Sequence, residues 1–364
     1  MKPVNHKQEY GLLRQKTEAY ALLVQRILDA FVAEISGAAL AEGYSGDKWF
    51  SFDDYQEAKR LFEKLQSKAV RDMRAVVVNG ITATWKDSNY KNDRLAQQVL
   101  GKKASQAKYE RYFDNNEAAL NSFIRRQRDG LNLSKRIWKL QEEFKTNLEQ
   151  AISVSMGEGK SAERLSREIR QYLNEPRKLF RRLRTYDADG NFKGWKLSNP
   201  ALRYNPGTGQ YRSSYKNSMR LARTEINMAY RTADQERWTQ FDFVVGYEIK
   251  RSMSSSCHCP RCDALAGKYP KDFWFTGWHP QCMCYIIPIL KTEEELYRDD
   301  ELIMNGEEPS EESANNVDDV PTGYKEYIRE NAAGIEQAAE RGTLPYFLQD
   351  NEYKQYLKSK TTDD

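Results

Sequence analysis

All five cysteines of this 364-residue chain lie within the 28 residues from Cys257 to Cys284, and two of its three histidines, His258 and His279, lie there with them. The window reads Cys257-His258-Cys259-Pro260-Arg261-Cys262, then sixteen residues, then His279-Pro280-Gln281-Cys282-Met283-Cys284. Two ligand-rich turns joined by a loop are how a chain grips a tetrahedral ion. Zinc takes four thiolate or imidazole ligands at about 2.0–2.3 Å. Cys259 and Cys262 have the two-residue gap of a metal knuckle, and so do His279 and Cys282. Cys282 and Cys284 are two apart and would face one side of a strand. The first-choice ligand set is Cys259, Cys262, His279 and Cys282, with Cys284 replacing His279 as the close alternative and Cys257 surplus.

Two plainer readings compete with a metal. Disulfides need an oxidising compartment, and Met1 to His6 has no apolar core of the kind a secretory signal carries. Reduced cysteines packed as small core residues are the other. A catalytic zinc keeps an open position and an acid or base beside it. The His-x-Glu that a zinc deaminase places ahead of Pro-Cys-x-x-Cys is missing. Three histidines are few for a histidine-built nuclease. The expectation is therefore a structural zinc and no enzyme.

The elements that must position this window are legible on both sides of it. Residues 213–238 read as a helix with one buried stripe, Tyr215, Met219, Ala222, Ile226, Ala229 and Ala233, and with Arg220, Arg223, Glu225 and Arg231 off it. Residues 241–249 and 284–290 read as strands that pair, so the window bridges a small sheet covered by that helix. Such a metal would add folding stability to a module with a small core.

Upstream, apolar residues recur at helical period over 8–42 (Leu12, Tyr20, Leu23, Ile27, Phe31, Ile35) and again over 53–85. A polar turn is expected at Lys86 to Asn89. Helical pattern returns at 92–100, 114–130 and 133–157, and Ser161 caps a further helix. Tyr186 to Phe192 reads as a hairpin turn between two short strands. The fold class expected is a mostly α N-terminal region, residues 1–205, followed by a small α+β module with a zinc-binding loop, residues 206–290. An acidic, disordered linker over 291–320 and a C-terminal helix and tail over 321–364 complete the division.

The chain is 30 % charged, 39 % hydrophobic and 12 % aromatic, the composition of a chain that builds cores rather than staying disordered. No apolar run approaches the length of a membrane span, so no membrane partner is expected. Net charge is +4, but residues 291–320 hold twelve acidic and two basic residues and 321–364 a further net −2, leaving +16 on residues 1–290. A basic body suits a polyanion. The densest basic run is Arg164, Arg167, Arg170, Arg177, Lys178, Arg181, Arg182 and Arg184, which reads equally as a nucleic-acid or acidic-partner contact and as a solvated helix face.

The order of these features resembles the head-morphogenesis family of tailed-phage minor capsid proteins typified by protein F of phage Mu. Leu221-Ala222-Arg223-Thr224-Glu225-Ile226-Asn227, Trp238, the β stretch to Gly246, Cys259 and Cys262, Leu265-Ala266-Gly267 and His279 to Cys284 leading into Pro288 carry the resemblance. Gly159 to Phe180 is similar to the version in phages and prophages of the Bacteroides group. The resemblance implies a virion head protein present in few copies, with the portal protein and capsid or scaffold proteins as partners, DNA nearby, and the host cytoplasm as its place during assembly. It also implies that Arg223 and Glu225 form an ion pair tying the helix to the cysteine loop. The extra Cys257, and Ser256 or His258 where an acidic residue often stands, depart from the pattern. The rival from another class is a zinc-stabilised nuclease or effector delivered with phage DNA; a zinc-ribbon DNA-binding module is a third, poorly matched by the long helical region.

Overall fold

The computed structural model describes residues 3–44, 49–101, 107–155, 161–176, 182–197, 211–252 and 259–357. The chain forms two compact units, one of residues 1–17, 79–129 and 224–364, the other of residues 18–78 and 130–223. This division by contacts differs from the serial one expected at 205 and 290. Three of the four boundaries, at 17/18, 78/79 and 223/224, fall within long helices and the fourth, at 129/130, falls in a turn; residues 198–210 lie outside the described residues.

The second unit is helical. It takes residues 18–41 of α1 (His6–Ala41), the first part of α2 (Gln56–Leu100), α4 (Leu133–Ser155) and α5 (Ala162–Asn174). Phe31 is its centre, with ring centroids 5.3 Å from both Phe62 and Phe144, while Phe52 lies 4.6 Å from Phe62. The buried stripe of α1 is Leu13, Ala21, Val24, Leu28, Phe31, Val32 and Ile35. Leu12 and Leu23, expected on it, are 52 % and 38 % exposed. Leu12-Leu13 and Leu22-Leu23-Val24 allow two registers, and packing selects the second. A hairpin of β1 (Arg182–Tyr186) and β2 (Phe192–Leu197) also belongs here.

The first unit contains the rest of α2, α3 (Glu117–Arg125), most of α6 (Ser214–Gln240) and a three-stranded antiparallel sheet. Its order is β4 (Gly267–Pro270), β3 (Val244–Lys250), β5 (Tyr285–Leu290). The expected pairing of the strands on either side of the cysteine window is present, from Val244 opposite Leu290 to Lys250 opposite Tyr285. The short strand β4, inside the window, was not expected.

The turn expected at Lys86 to Asn89 does not exist, since α2 runs unbroken through it. Ser88 and Asn89 of that stretch, and Lys91 and Asn92 just beyond it, are buried there with partners. Asp234 of α6 accepts from Ser88 Oγ at 2.5 Å, Lys91 Nζ at 2.5 Å, Asn92 Nδ2 at 2.9 Å and Tyr10 Oη at 3.1 Å. Trp238 Nε1 donates to Asn92 Oδ1 at 2.8 Å. A sequence pattern counts Asp, Lys and Asn as surface. Here they form a satisfied interior network, the condition under which burying polar groups is tolerated.

His6 is buried near this network, and burial, with Lys91 and Arg94 adding positive charge, holds its imidazole down to about 3. The folded protein keeps His6 neutral while the unfolded chain protonates it below pH 6.5. Stability is therefore full above pH 6.5 and falls by about 1.4 kcal/mol per pH unit from there towards pH 3. His6→Asn should flatten the acid limb of a urea-unfolding series across that window; an unchanged slope would show that His6 is not the group responsible.

The acidic linker expected to be disordered over 291–320 is instead ordered. Residues Glu293–Met304 form α8, opened by a capping box in which Thr292 and Glu295 each bond the other's backbone N–H, a start signal the charge count obscured. Lys291 is buried, donates to Asp299 at 2.6 Å and also reaches the Ser310 carbonyl. Val317 packs so closely over Gly246 that a Cβ there would lie 2.9 Å from it. Beyond, the C-terminal helix expected within 321–364 is two, α9 (Thr322–Glu330) and α10 (Ala332–Glu340). Tyr346, Phe347 and Leu348 after them are buried, with Phe347 5.2 Å from Trp278.

Candidate metal centre

The strand β3 ends at Lys250, and α7 (Pro260–Ala264) follows with Cys259 as its N-cap and proline in its first turn, a pre-set helix start. That turn places Cys262 inward, buried, and Cys259 at the half-buried edge. After β4 the chain returns through Phe273 to Trp278 into a tight turn, where Cys282 N–H donates to the His279 carbonyl at 3.0 Å and Gln281 takes the left-handed conformation, φ 59°. Cys282 and Cys284 are both buried as the chain enters β5.

The donors converge. His279 Nε2 lies 3.3 Å from Cys259 Sγ and 3.2 Å from Cys262 Sγ, and Cys262 Sγ lies 3.9 Å from Cys282 Sγ. Two triads have all their donor atoms within 4.8 Å of one another, Cys259–Cys262–His279 and Cys262–Cys282–Cys284. Cys262 belongs to both. Tetrahedral sulfur and nitrogen ligands at zinc distances stand about 3.5–3.8 Å apart, so these separations are of the size a shared ion requires. A disulfide would bring sulfurs to about 2.05 Å, and the four described cysteines are free. Cys257 and His258 lie outside the described residues. The cluster can hold a metal, and the residues expected to do so, Cys259, Cys262, His279, Cys282 and Cys284, are the ones brought together.

Local chemistry prepares the donors. Pro280 offers His279 Nδ1 a carbonyl at 2.9 Å. A carbonyl only accepts, so Nδ1 carries the proton and Nε2 presents its lone pair to the thiols. Hydrogen bonding to Cys282 and Cys284 holds the Cys262 thiol protonated, while Cys282 is held well below the usual thiol range. Burial opposes ionisation of Cys282, but hydrogen bonds from Cys262 and Cys284 and the charge of Arg231 outweigh it.

Arg231 is the residue that sequence reasoning missed. It was placed off the buried stripe of α6, yet it is only 1 % exposed. Its guanidinium donates to the Thr276 carbonyl at 2.9 Å, the Cys282 carbonyl at 2.7 Å and the Cys284 carbonyl at 2.6 Å. Four residues before it, Asn227 Nδ2 also donates to the Cys282 carbonyl, at 3.0 Å. Four residues after it, Gln235 donates to the Phe273 carbonyl and accepts from Phe275 N–H. One face of α6, at four-residue steps, thus serves as the template on which the ligand loop is laid. The spacing Asn227, Arg231, Gln235 was the available signal.

The expected pairing of Arg223 with Glu225 is corrected. Arg223 makes a two-pronged bond with Glu18, at 2.7 and 2.8 Å, while Glu225 is 1 % exposed and pairs with Arg126 at 2.8 Å. Residues two apart on a helix point to different sides. The tie from helix to cysteine loop is made by Arg231.

Gly277 shows how tightly the loop fits. Its φ is 135°, and a Cβ would stand 2.9 Å from the Arg231 guanidinium and 3.1 Å from Cys282 Cβ. Gly277→Ala combines backbone strain with that clash and should cost about 2–3 kcal/mol, read as a lower midpoint in a denaturant titration; a neutral result would mean the loop is free to shift.

Of the basic run, Arg164, Arg167 and Arg170 lie on α5. Arg164 pairs with Glu168 at 3.4 Å, Arg167 with Glu163 at 3.1 Å, and Arg170 Nε reaches the Ser166 carbonyl at 3.4 Å. Arg177, Lys178 and Arg181 lie outside the described residues, and Arg182 and Arg184 are on β1. The run is thus not one continuous helix face. No protein-family model matches the chain, no curated protein matches it, and no solved structure matches it.

Proposed function

We propose that this chain is a minor capsid protein of a tailed phage or prophage, acting by binding at the portal during head assembly, with a structural zinc at Cys262 and its neighbours. The observation that carries the reading is the convergence of the motifs on which the family resemblance rests. The helix from Thr224 onward, Cys259-x-x-Cys262 and His279 to Cys284 lie in one unit, with the cysteine loop hydrogen-bonded along α6. Three of the five donors, Cys262, Cys282 and Cys284, are buried, which suits a closed structural site rather than one that keeps a position open for substrate. Zinc fits the donor set, since thiolates with one imidazole favour it over calcium or magnesium, which take oxygen. The ion would cross-link α7 to the strand β5 that pairs with β3.

Portal and capsid proteins would be the partners and the virion head the final location. The test is co-expression of the full chain with a tailed-phage portal protein, followed by size-exclusion chromatography. Co-elution supports the reading. Separate elution, together with cleavage of plasmid DNA by the zinc-loaded chain, would favour the effector reading instead.

A further inference from the structure

The hairpin β1–β2 has an unusual surface. Tyr186 is 56 % exposed, Phe192 54 % and Trp195 56 %. The three rings are not scattered. Phe192 lies 5.7 Å from Trp195 and 6.4 Å from Tyr186, both edge-on. The register explains the row, since Arg184 is opposite Trp195 and Tyr186 opposite Phe192. Positions 184 and 186 share a face of β1, and the bulge between Thr185 and Tyr186 keeps the facing pair in line. Arg184 closes the row, its guanidinium 5.4 Å from the Trp195 ring. A two-stranded hairpin gains little stability by itself, and nothing in its own folding requires three large rings in water.

The charges say what the rings would meet. The strands carry Arg182, Arg184, Lys193 and Lys196 and no acidic residue. Both carboxylates are in the turn, and Asp187 is occupied there, accepting from the backbone N–H of Asp189 at 3.0 Å and of Asn191 at 2.8 Å. A row of exposed aromatic faces flanked by cations is the chemistry of single-stranded nucleic-acid binding, where bases stack on rings and the backbone follows the positive charge. Duplex DNA keeps its bases stacked on one another and presents phosphates and base edges, not base faces, to such a row.

We infer that the β1–β2 hairpin is a stacking platform for single-stranded nucleic acid, with Tyr186, Phe192 and Trp195 receiving bases and Arg184, on the same face, with Lys193 at the bulge, the phosphates. This goes beyond the capsid reading, because packaged phage DNA is duplex, and it stands on the hairpin alone. It also moves the nucleic-acid contact away from α5, where Arg164 and Arg167 are answered by glutamates of their own helix.

The test uses the full chain, a fluorescein-labelled oligothymidylate and a duplex of equal length, with anisotropy as the readout and no portal protein present. The oligothymidylate should bind more tightly than the duplex. Phe192→Ala/Trp195→Ala should weaken that binding about 10-fold or more, and Arg184→Gln should reduce its salt dependence. Tyr186→Ala alone supplies a milder variant, and equal melting temperatures across the set would show that the exposed substitutions leave the fold intact. The inference fails if the ring variants bind like the parent, if the duplex is bound as tightly as the single strand, or if the parent binds neither. It also fails if the hairpin's rings instead prove to be needed for co-sedimentation with anionic phospholipid vesicles.

Discussion

Under the structural-zinc proposal, Cys262→Ser should abolish metal binding and lower the melting temperature by on the order of 10 °C, the largest effect expected of any single substitution in this protein. Cys262 is the thiol shared by both triads and is buried. Its replacement leaves neither triad intact, and a serine hydroxyl does not ionise to replace a thiolate. Binding energy at a structural zinc is folding energy. A loss of about 4 kcal/mol, well short of the whole binding energy of a zinc-finger peptide, shifts a domain of this size by roughly that much. Elemental mass spectrometry beside calorimetry reads both quantities. Cys259→Ser is the informative comparison, since Cys259 is half-buried and belongs to one triad only; its effect should be smaller. A wild-type chain that carries no metal and melts with the Cys262→Ser variant would leave the cysteines as packed thiols and the loop held by Arg231 alone.

Arg231→Met should destabilise by about 3–5 kcal/mol and weaken metal binding 10- to 100-fold. The substitution keeps an apolar stem of similar length but strips three buried carbonyls, of Thr276, Cys282 and Cys284, of their donor. Unsatisfied buried acceptors carry their full desolvation cost, and loss of groups that orient metal ligands has that range of effect on affinity. Arg231→Lys should rescue only part, because a single ammonium cannot reproduce a planar fork that spans carbonyls from two stretches of the loop. Chelator competition for the metal and denaturant unfolding measure the two terms separately. If affinity fell while stability stayed at the parental value, Arg231 would be acting only on the ligands and not on the loop's fold.

Much of this architecture could be read before any coordinates. The gap of two between Cys259 and Cys262 and between His279 and Cys282, the apolar period of α6 and the β-rich stretches flanking the window depend on neighbours in sequence. Backbone geometry converts such spacings directly into shared faces. The same logic located the Tyr186–Phe192 turn and the Ser161 cap. The continuity of α2 was not legible in this way. Lys91 and Asn92 look like surface residues until Asp234, some 140 positions away, is brought against them. The ordering of 291–320 was hidden for a similar reason, because acidic composition argues for solvent while the capping box and the Lys291–Asp299 pair argue for structure.

The candidate metal centre divides along the same line. Residue type and spacing alone determined which five side chains could bind an ion, because ligand chemistry is a property of the side chain. Tertiary structure decided which of them share an atom-to-atom neighbourhood, that Cys262 is common to both triads, and that Arg231 rather than Arg223 and Glu225 fastens the loop to the helix. Those outcomes depend on which polar groups a buried surface leaves unsatisfied, and that is settled only when segments remote in sequence close over one another.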